Sequence, residues 1–190
     1  MTAPYPDEFS AAVNLSLDAE ALLRPLDKSD TAALGDYFLT LSEASKRVYG
    51  PHPFDRDTAN AVCAGAGDDG TLRLLALHDE TIVGYFILVL GIHDGDRRRY
   101  EPLGIELDHS TDCTLAPSVL DAYQNSGLGS HMMGHLKKIA RALGRRRMLL
   151  WGGVRHDNPR ARHFYEKFGF VEVGHFPAGG VNNSDMIADL

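Results

Sequence analysis

Asp121-Ala-Tyr-Gln124-Asn125-Ser126-Gly127-Leu128-Gly129-Ser130-His131-Met-Met-Gly-His135-Leu136-Lys-Lys-Ile139-Ala-Arg-Ala-Leu143 is the stretch that decides the fold, because it predicts a glycine turn running directly into a helix. Leu128, Met132, Leu136, Ile139 and Leu143 recur at helical spacing and define one buried face, with Lys137, Lys138 and Arg141 turned away from it. The helix therefore begins near Gly127. Ahead of it, Gln124 to Ser130 offers two glycines and little side-chain bulk, so successive backbone N–H groups can meet an anion at the positive end of the helix dipole. Such a turn suits a pyrophosphate.

Two nucleotide readings of this turn fail on spacing. The dinucleotide fingerprint needs a third glycine where Met132 stands, and a P-loop needs a Gly-Lys-Ser/Thr ending that is missing. Gly65-Ala-Gly67-Asp-Asp-Gly70 does fit the dinucleotide pattern, but it follows a predicted helix instead of a strand, and Asp68 and Asp69 would repel a phosphate. It reads as a helix stop and loop.

Working outward, the apolar patterning predicts strands over 21–26, 71–77, 81–90, 111–120, 147–154, 170–176 and 184–188, with helices between the first two and after 120 and 157. Asp27 with Asp30 resembles a capping pair for a helix whose buried face is Leu34, Phe38 and Leu41. Pro51-His52-Pro53-Phe54 breaks the chain, and Asp55 or Asp57 caps a second helix to Ala64. Pro117 has no N–H for a sheet ladder, so the strand entering the glycine turn is expected to part from a neighbour there. Asp157-Asn158-Pro159 opens the last helix, which stops at Gly169, and Pro177 to Gly180 turns between the last two strands. The result is an α/β fold: a single-domain, mixed, mostly antiparallel sheet flanked by helices. Residues 1–16, with Pro4 and Pro6, read as a lead-in to a domain spanning 17–190, and packing of that lead-in on a partner subunit, as in a homodimer, stays open.

The 190-residue chain is 44% hydrophobic and 24% charged, which suits one soluble domain. Its formal charge of -7 disfavours general affinity for nucleic acid or an anionic membrane. Cys63 and Cys113 make no disulfide framework or metal spacing, and the N-terminus has no basic end before an apolar run, so a reduced, cytoplasmic protein is expected. The longest apolar run, Ile82 to Ile92, is short of the about 20 residues that span a bilayer. His131 and His135 are four apart but lack the glutamate and third ligand of a zinc motif, so no metal is expected. Arg97-Arg98-Arg99 reads as a solvated loop, and Trp151 as strand core.

Gln124-Asn125-Ser126-Gly127-Leu128-Gly129 resembles the acyl-CoA pyrophosphate loop of the GNAT superfamily of N-acyltransferases, and Asn158-Pro-Arg-Ala161-Arg-His-Phe164-Tyr165-Glu-Lys-Phe-Gly169-Phe170 resembles its second signature. The two lie about thirty residues apart, in the family's order. The resemblance covers about residues 20–190, and Asn125-Ser126 departs from the commoner glycine and arginine of the loop. It implies a GNAT-like sheet with a splayed central parallel pair and acetyl-CoA as co-substrate. Cofactor contacts are implied for Ser118, Val119, Leu120, Gln124, Asn125, Ser126, Gly127, Leu128, Gly129, Ser130 and Asn158. Arg145-Arg146-Arg147 falls on the cofactor side, and Ser42–Phe54 with Gly91–His109 on the acceptor side.

The activity implied is transfer of an acetyl group to a primary amine of a small molecule or peptide by direct attack, with Tyr165 protonating the departing thiolate. Asp112 is the candidate base, with Glu106, Asp108 or water as substitutes. A catalytically silent acyl-CoA-binding module and a protein lysine or N-terminal acetyltransferase are the alternatives.

Overall fold

The computed structural model describes residues 7–15, 20–49 and 51–190. The expected boundary at 16 and 17 and lead-in residues 1–6 lie outside them. The elements run β1 (Ala11–Asn14), β2 (Glu20–Pro25), α1 (Thr31–Thr40), α2 (Glu43–Arg47), α3 (Arg56–Ala64), β3 (Thr71–His78), β4 (Thr81–Val89) and α4 (Asp94–Tyr100). They continue as β5 (Asp112–Val119), α5 (Leu128–Ala142), β6 (Arg147–Leu150), β7 (Val154–Arg155), α6 (Pro159–Lys167), β8 (Val171–Ala178) and β9 (Val181–Asp189). The strands join one sheet in the order β1-β2-β3-β4-β5-β6-β9-β7, with β8 on β9. Among the described residues β5 and β6 are the one parallel pair.

The helices cover opposite faces of this sheet, and β4 shows why. Gly84 lies under the Met132 side chain of α5, while the ring of Tyr85 packs edge-on against Phe38 of α1 at 5.4 Å. Neighbouring residues of a strand point to opposite faces, so α5 and α1 are on opposite sides. The predicted face of α5 is buried at Leu128, Met132, Leu136 and Ile139, and Leu143 packs partly buried at its end. Lys137 is an exception to the expected polar face, since its Nζ turns back to donate to the Phe168 carbonyl at 2.9 Å. The predicted Leu34, Phe38 and Leu41 are likewise buried under α1.

Local signals fix the helix starts. Asp27 accepts from the Ser29 N–H while Asp30 accepts from the Asp27 N–H, a reciprocal cap. Asp55 accepts from Thr58 N–H at 2.7 Å ahead of α3, and Asn158 accepts from Ala161 N–H at 3.1 Å ahead of α6.

Three sequence expectations are corrected. Residues 11–14, assigned to the lead-in, form β1 against β2. Arg97–Arg99 lie in the helix α4, where Arg99 is half-buried and paired with Asp96 and Asp185. The apolar run 147–154 is not one strand: β6 stops at Leu150, Trp151 N–H donates to Leu115 C=O at 2.8 Å, and Gly152 and Gly153 turn the chain with φ of 67° and 70°. Beyond them β7 pairs with β9 at Val154↔Ser184. A side chain at Gly153 would stand 2.7 Å from the Ser184 carbonyl, so both its φ and its neighbours require glycine.

Candidate active site

The parting of β5 from β6 opens a gap in the sheet. Their ladder runs from Asp112↔Arg147 to Leu115↔Leu150 and ends there, while β5 continues to Val119 against β4. In the antiparallel β4–β5 pair, Leu120 N–H donates to Val83 C=O at 3.0 Å, which fixes the alternation. Ser118 and Leu120 direct their backbone groups to β4; Pro117 and Val119 direct theirs to the gap. Ser118 and Leu120 are therefore not available there as the sequence reading had them. Pro117 costs the β4 ladder nothing, since its missing N–H lies on the side from which β6 has already turned away.

At the end of β5 the glycine turn is held by side chains of its own neighbourhood. Ser126 Oγ donates to Tyr123 C=O at 2.7 Å and accepts from Leu128 N–H at 3.3 Å. Gln124 Nε2 donates to Val119 C=O at 3.2 Å, and its Oε1 accepts from Arg160 of α6 at 2.7 Å. Asn125 and Gly127 have φ of 65° and 90°, and Gly127 is the N-cap of the fifteen-residue α5 without a side-chain cap. Among the described residues, the N–H groups of Asn125, Gly127 and Gly129 have no hydrogen-bond acceptor. Unclaimed donors at a helix N-terminus are what a phosphate needs. Ser130 Oγ accepts from Lys167 at 3.4 Å, which adds positive charge beside the turn.

A cleft of about 380 Å³ occupies the gap. Its floor is Leu115, Ala116 and Pro117 of β5 with Leu150, Trp151 and Tyr165; its rim includes Arg47, Tyr49 and Pro51 after α2, Arg155, and the β8–β9 turn with Asn183. Tyr165 is buried, its ring edge-on to Phe164 and Phe170 at 5.5 Å each, and burial holds its phenol well above the ordinary value. It stays protonated through the physiological range. The Tyr49 hydroxyl is buried without a hydrogen-bond partner among the described residues, and burial pushes its pKa up as well.

Asp112 is not placed to act as a base. It is fully buried, its carboxylate accepts from Arg147 Nε at 2.9 Å and Nη2 at 2.6 Å, and Asp108 N–H donates to it at 2.7 Å. It sits at the far end of β5, about 16 Å along the strand from Pro117. Asp108 accepts from the Ser110 N–H and hydroxyl in the preceding loop, and Glu106 is exposed in the same loop. Among the described residues no carboxylate lines the cleft. Asn158 is occupied as the cap of α6, which orients the helix carrying Tyr165.

Behind the cleft, His93 stacks on Trp151 at 4.1 Å, and Gly152 N–H donates to Asp96 at 3.2 Å. Arg99 binds Asp185 at 3.1 Å and also pairs with Asp96, so α4 braces the turn that ends β6. Burial raises the Asp185 pKa, with Arg99 opposing. Of the two segments expected on the acceptor side, the first supplies Arg47, Val48, Tyr49 and Pro51 to the cleft, while 91–109 supports it from behind. Arg47, Tyr49, Arg155 and Asn183 carried no motif in the sequence.

Neither Cys63 nor Cys113 is exposed, and burial pushes the Cys113 thiol up to about 12. His135 is bound to the Phe9 carbonyl and His131 is exposed, so this pair does not converge. Away from the cleft, His156, Glu172 and His175 bring potential metal-ligating atoms within 4.8 Å of one another on the surface.

The chain matches the family model described as the acetyltransferase (GNAT) family over residues 36–170 and belongs to that family, the acetyl-CoA-dependent N-acetyltransferases. The fold is similar to the GNAT domain of S. lividans PAT, at 21% identity and a TM-score of 0.78, covering 98% of this chain and 99% of that one. A GNAT-family acetyltransferase from Streptococcus pneumoniae matches at 20% identity and 0.69, over 90% and 99% of the two chains. yncA from Salmonella typhimurium, solved with its cofactor acetyl-CoA, matches at 20% and 0.67, over 90% and 94%. No helix among the described residues is long and apolar enough to cross a membrane.

Proposed function

We propose that this chain moves the acetyl group of acetyl-CoA directly onto the amine of a small acceptor, with no acyl-enzyme. The observation that supports this is that the sheet gap and Tyr165 share one cleft, while the strand that borders it, β5, leads into the glycine turn with its unclaimed amides. When bound, acetyl-CoA supplies a thioester, a good acyl donor to a neutral amine.

The residues present fit such a group. Val119 N–H and Pro117 C=O offer a donor and an acceptor facing the gap, as an edge strand offers them to an extended amide chain. Asn125, Gly127 and Gly129 N–H groups, with the α5 dipole, would hold its pyrophosphate. Ser126 and Gln124 fix the path of the turn by bonding its backbone rather than a ligand.

Tyr165 keeps its proton and lies where it can donate toward a departing thiolate. A phenol whose pKa is raised by burial is a weak acid, but the same desolvation raises the pKa of a thiol beside it, so donation across a hydrogen bond remains feasible. With no carboxylate lining the cleft among the described residues, the acceptor ammonium loses its proton to water before attack in this reading. The buried thiols of Cys63 and Cys113 are unsuited to carry an acyl group.

Mixing the purified protein with acetyl-CoA and a panel of amines, and following free thiol together with the acetylated amine by mass spectrometry, tests this reading. Stoichiometric thiol and N-acetyl product are expected. Coenzyme A binding with no turnover on any amine would make the chain a silent acyl-CoA-binding module.

A further inference from the structure

The chain as a whole is acidic, at -7, yet its cleft is not. Arg47 and Arg155 are the charged side chains lining it, and no Asp or Glu among the described residues joins them there. Arg155 is oriented by Asp157, which accepts from its Nε at 2.9 Å and its Nη2 at 2.7 Å, and this contact holds the Asp157 carboxyl below its usual range. That arrangement leaves the other edge of the guanidinium unengaged. Arg47, at the end of α2, has no ion-pair or hydrogen-bond partner among the described residues. One aspartate against two arginines leaves the rim net positive. Tyr49, Trp151 and Tyr165 line the same cleft and accept the apolar body of a small molecule.

Resting on the acetyl-transfer reading above, we propose that Arg47 and Arg155 form an oxyanion subsite, and that the acceptor is a small amine carrying a carboxylate, an amino acid in chemical class. A guanidinium presents a planar fork of donors matched to a carboxylate, and such charge-assisted bonds are stronger than neutral ones. The reacting amine must be neutral to attack, so the acceptor's negative end is the charge that the rim reads in the reactive state. A polyamine would instead bring a second ammonium to two arginines, with no carboxylate to receive it. The cleft volume also favours a small acceptor, because part of it is taken by the thioester arm.

The test compares matched pairs, phenylalanine with phenethylamine and 4-aminobutyrate with propylamine, the amine of each pair being the carboxylate-free control, alongside spermidine and an aminoalkylphosphonate. The ratio of kcat/KM for phenylalanine over phenethylamine is expected to be about tenfold or more, the scale of one charged hydrogen bond. Arg47→Ala should collapse that ratio toward one by raising the amino-acid KM, with the acetyl-CoA Kd unchanged, and Arg47→Lys should restore part of it. Asp157→Asn, which loosens the orientation of Arg155, should narrow it. A phosphonate accepted as well as the carboxylate extends the ligand to oxyanions generally, whereas rejection of the phosphonate confines it to carboxylates. Equal or better transfer to phenethylamine, propylamine or spermidine overturns the subsite while leaving acetyl transfer standing. Absence of transfer to every amine, with acetyl-CoA bound, overturns the underlying reading instead.

Discussion

The glycine turn and the cleft rim are built in opposite ways. The turn is backbone: Val119, Asn125, Gly127 and Gly129 present N–H groups drawn from eleven consecutive residues, 119–129, between a strand and the helix it feeds. The rim side is side chains: Arg47, Tyr49, Trp151, Arg155 and Asn183 come from segments more than a hundred residues apart. Backbone recognition suits a coenzyme that is the same in every turnover. Side-chain recognition suits an acceptor, whose shape and charge can change by substitution without disturbing the turn. Tyr165 stands between the two, fixed by α6 and facing the cleft.

If that division holds, the largest effect should fall on the residue between the sides. Tyr165→Phe keeps the ring and its packing on Phe170, so it should lower kcat by about 10²–10⁴-fold, the range of general acid assistance, with the acetyl-CoA Kd nearly unchanged. The pH profile sharpens the point. Burial raises the phenol pKa, so the wild-type rate should climb as the acceptor loses its proton and show no alkaline fall from Tyr165 through pH about 10, the ordinary phenol value. An alkaline limb absent from the Phe variant but present in wild type below that pH would contradict the burial.

A smaller effect is expected on the backbone side. Gly127→Val forces a branched side chain into φ 90°, and strain of about 2 kcal/mol, or roughly thirtyfold, should appear in coenzyme A affinity by calorimetry. Gly129→Ala is the internal contrast: its new methyl would meet Phe164 at 3.6 Å, an ordinary contact, and should change affinity only a few-fold. Equal losses in the two would mean that bulk, and not the left-handed conformation, controls the turn.

The smallest kinetic effect belongs to Asp112. Asp112→Asn should leave kcat and its pH dependence as in wild type, since the residue lies outside the cleft. The same change weakens a buried pair whose arginine is partly solvated, so urea unfolding should show a loss of about 2 kcal/mol. A rate loss rescued by higher pH would return Asp112 to the role of base.

How much of this was legible beforehand follows the same division. The turn, α5 and the α6 signature each occupy one continuous segment, so local rules located them: helical spacing placed Leu128 to Ile139, and cap chemistry placed Asp55 and Asn158. Most strand positions also followed, save for β1 and where a glycine pair hid inside the apolar run that ends at Val154. The signal for that break was present in Gly152-Gly153, just past the end of β6, and in Pro117 on β5. Asp112 misled because a carboxylate near a predicted gap says nothing about Arg147, thirty-five positions away, which claims it.

The sequence by itself determined the family, the glycine turn that opens α5 and the helix that carries Tyr165, because each rests on neighbours along the chain whose hydrogen bonds and periodicity are local. The tertiary structure alone decided that Val119 and not Ser118 faces the gap, that Asp112 is spent on an ion pair, and that Arg47 and Arg155 share one rim. Those outcomes depend on strand register and on loops brought together across the sheet. Such distances are set by packing, and no spacing along the chain records them.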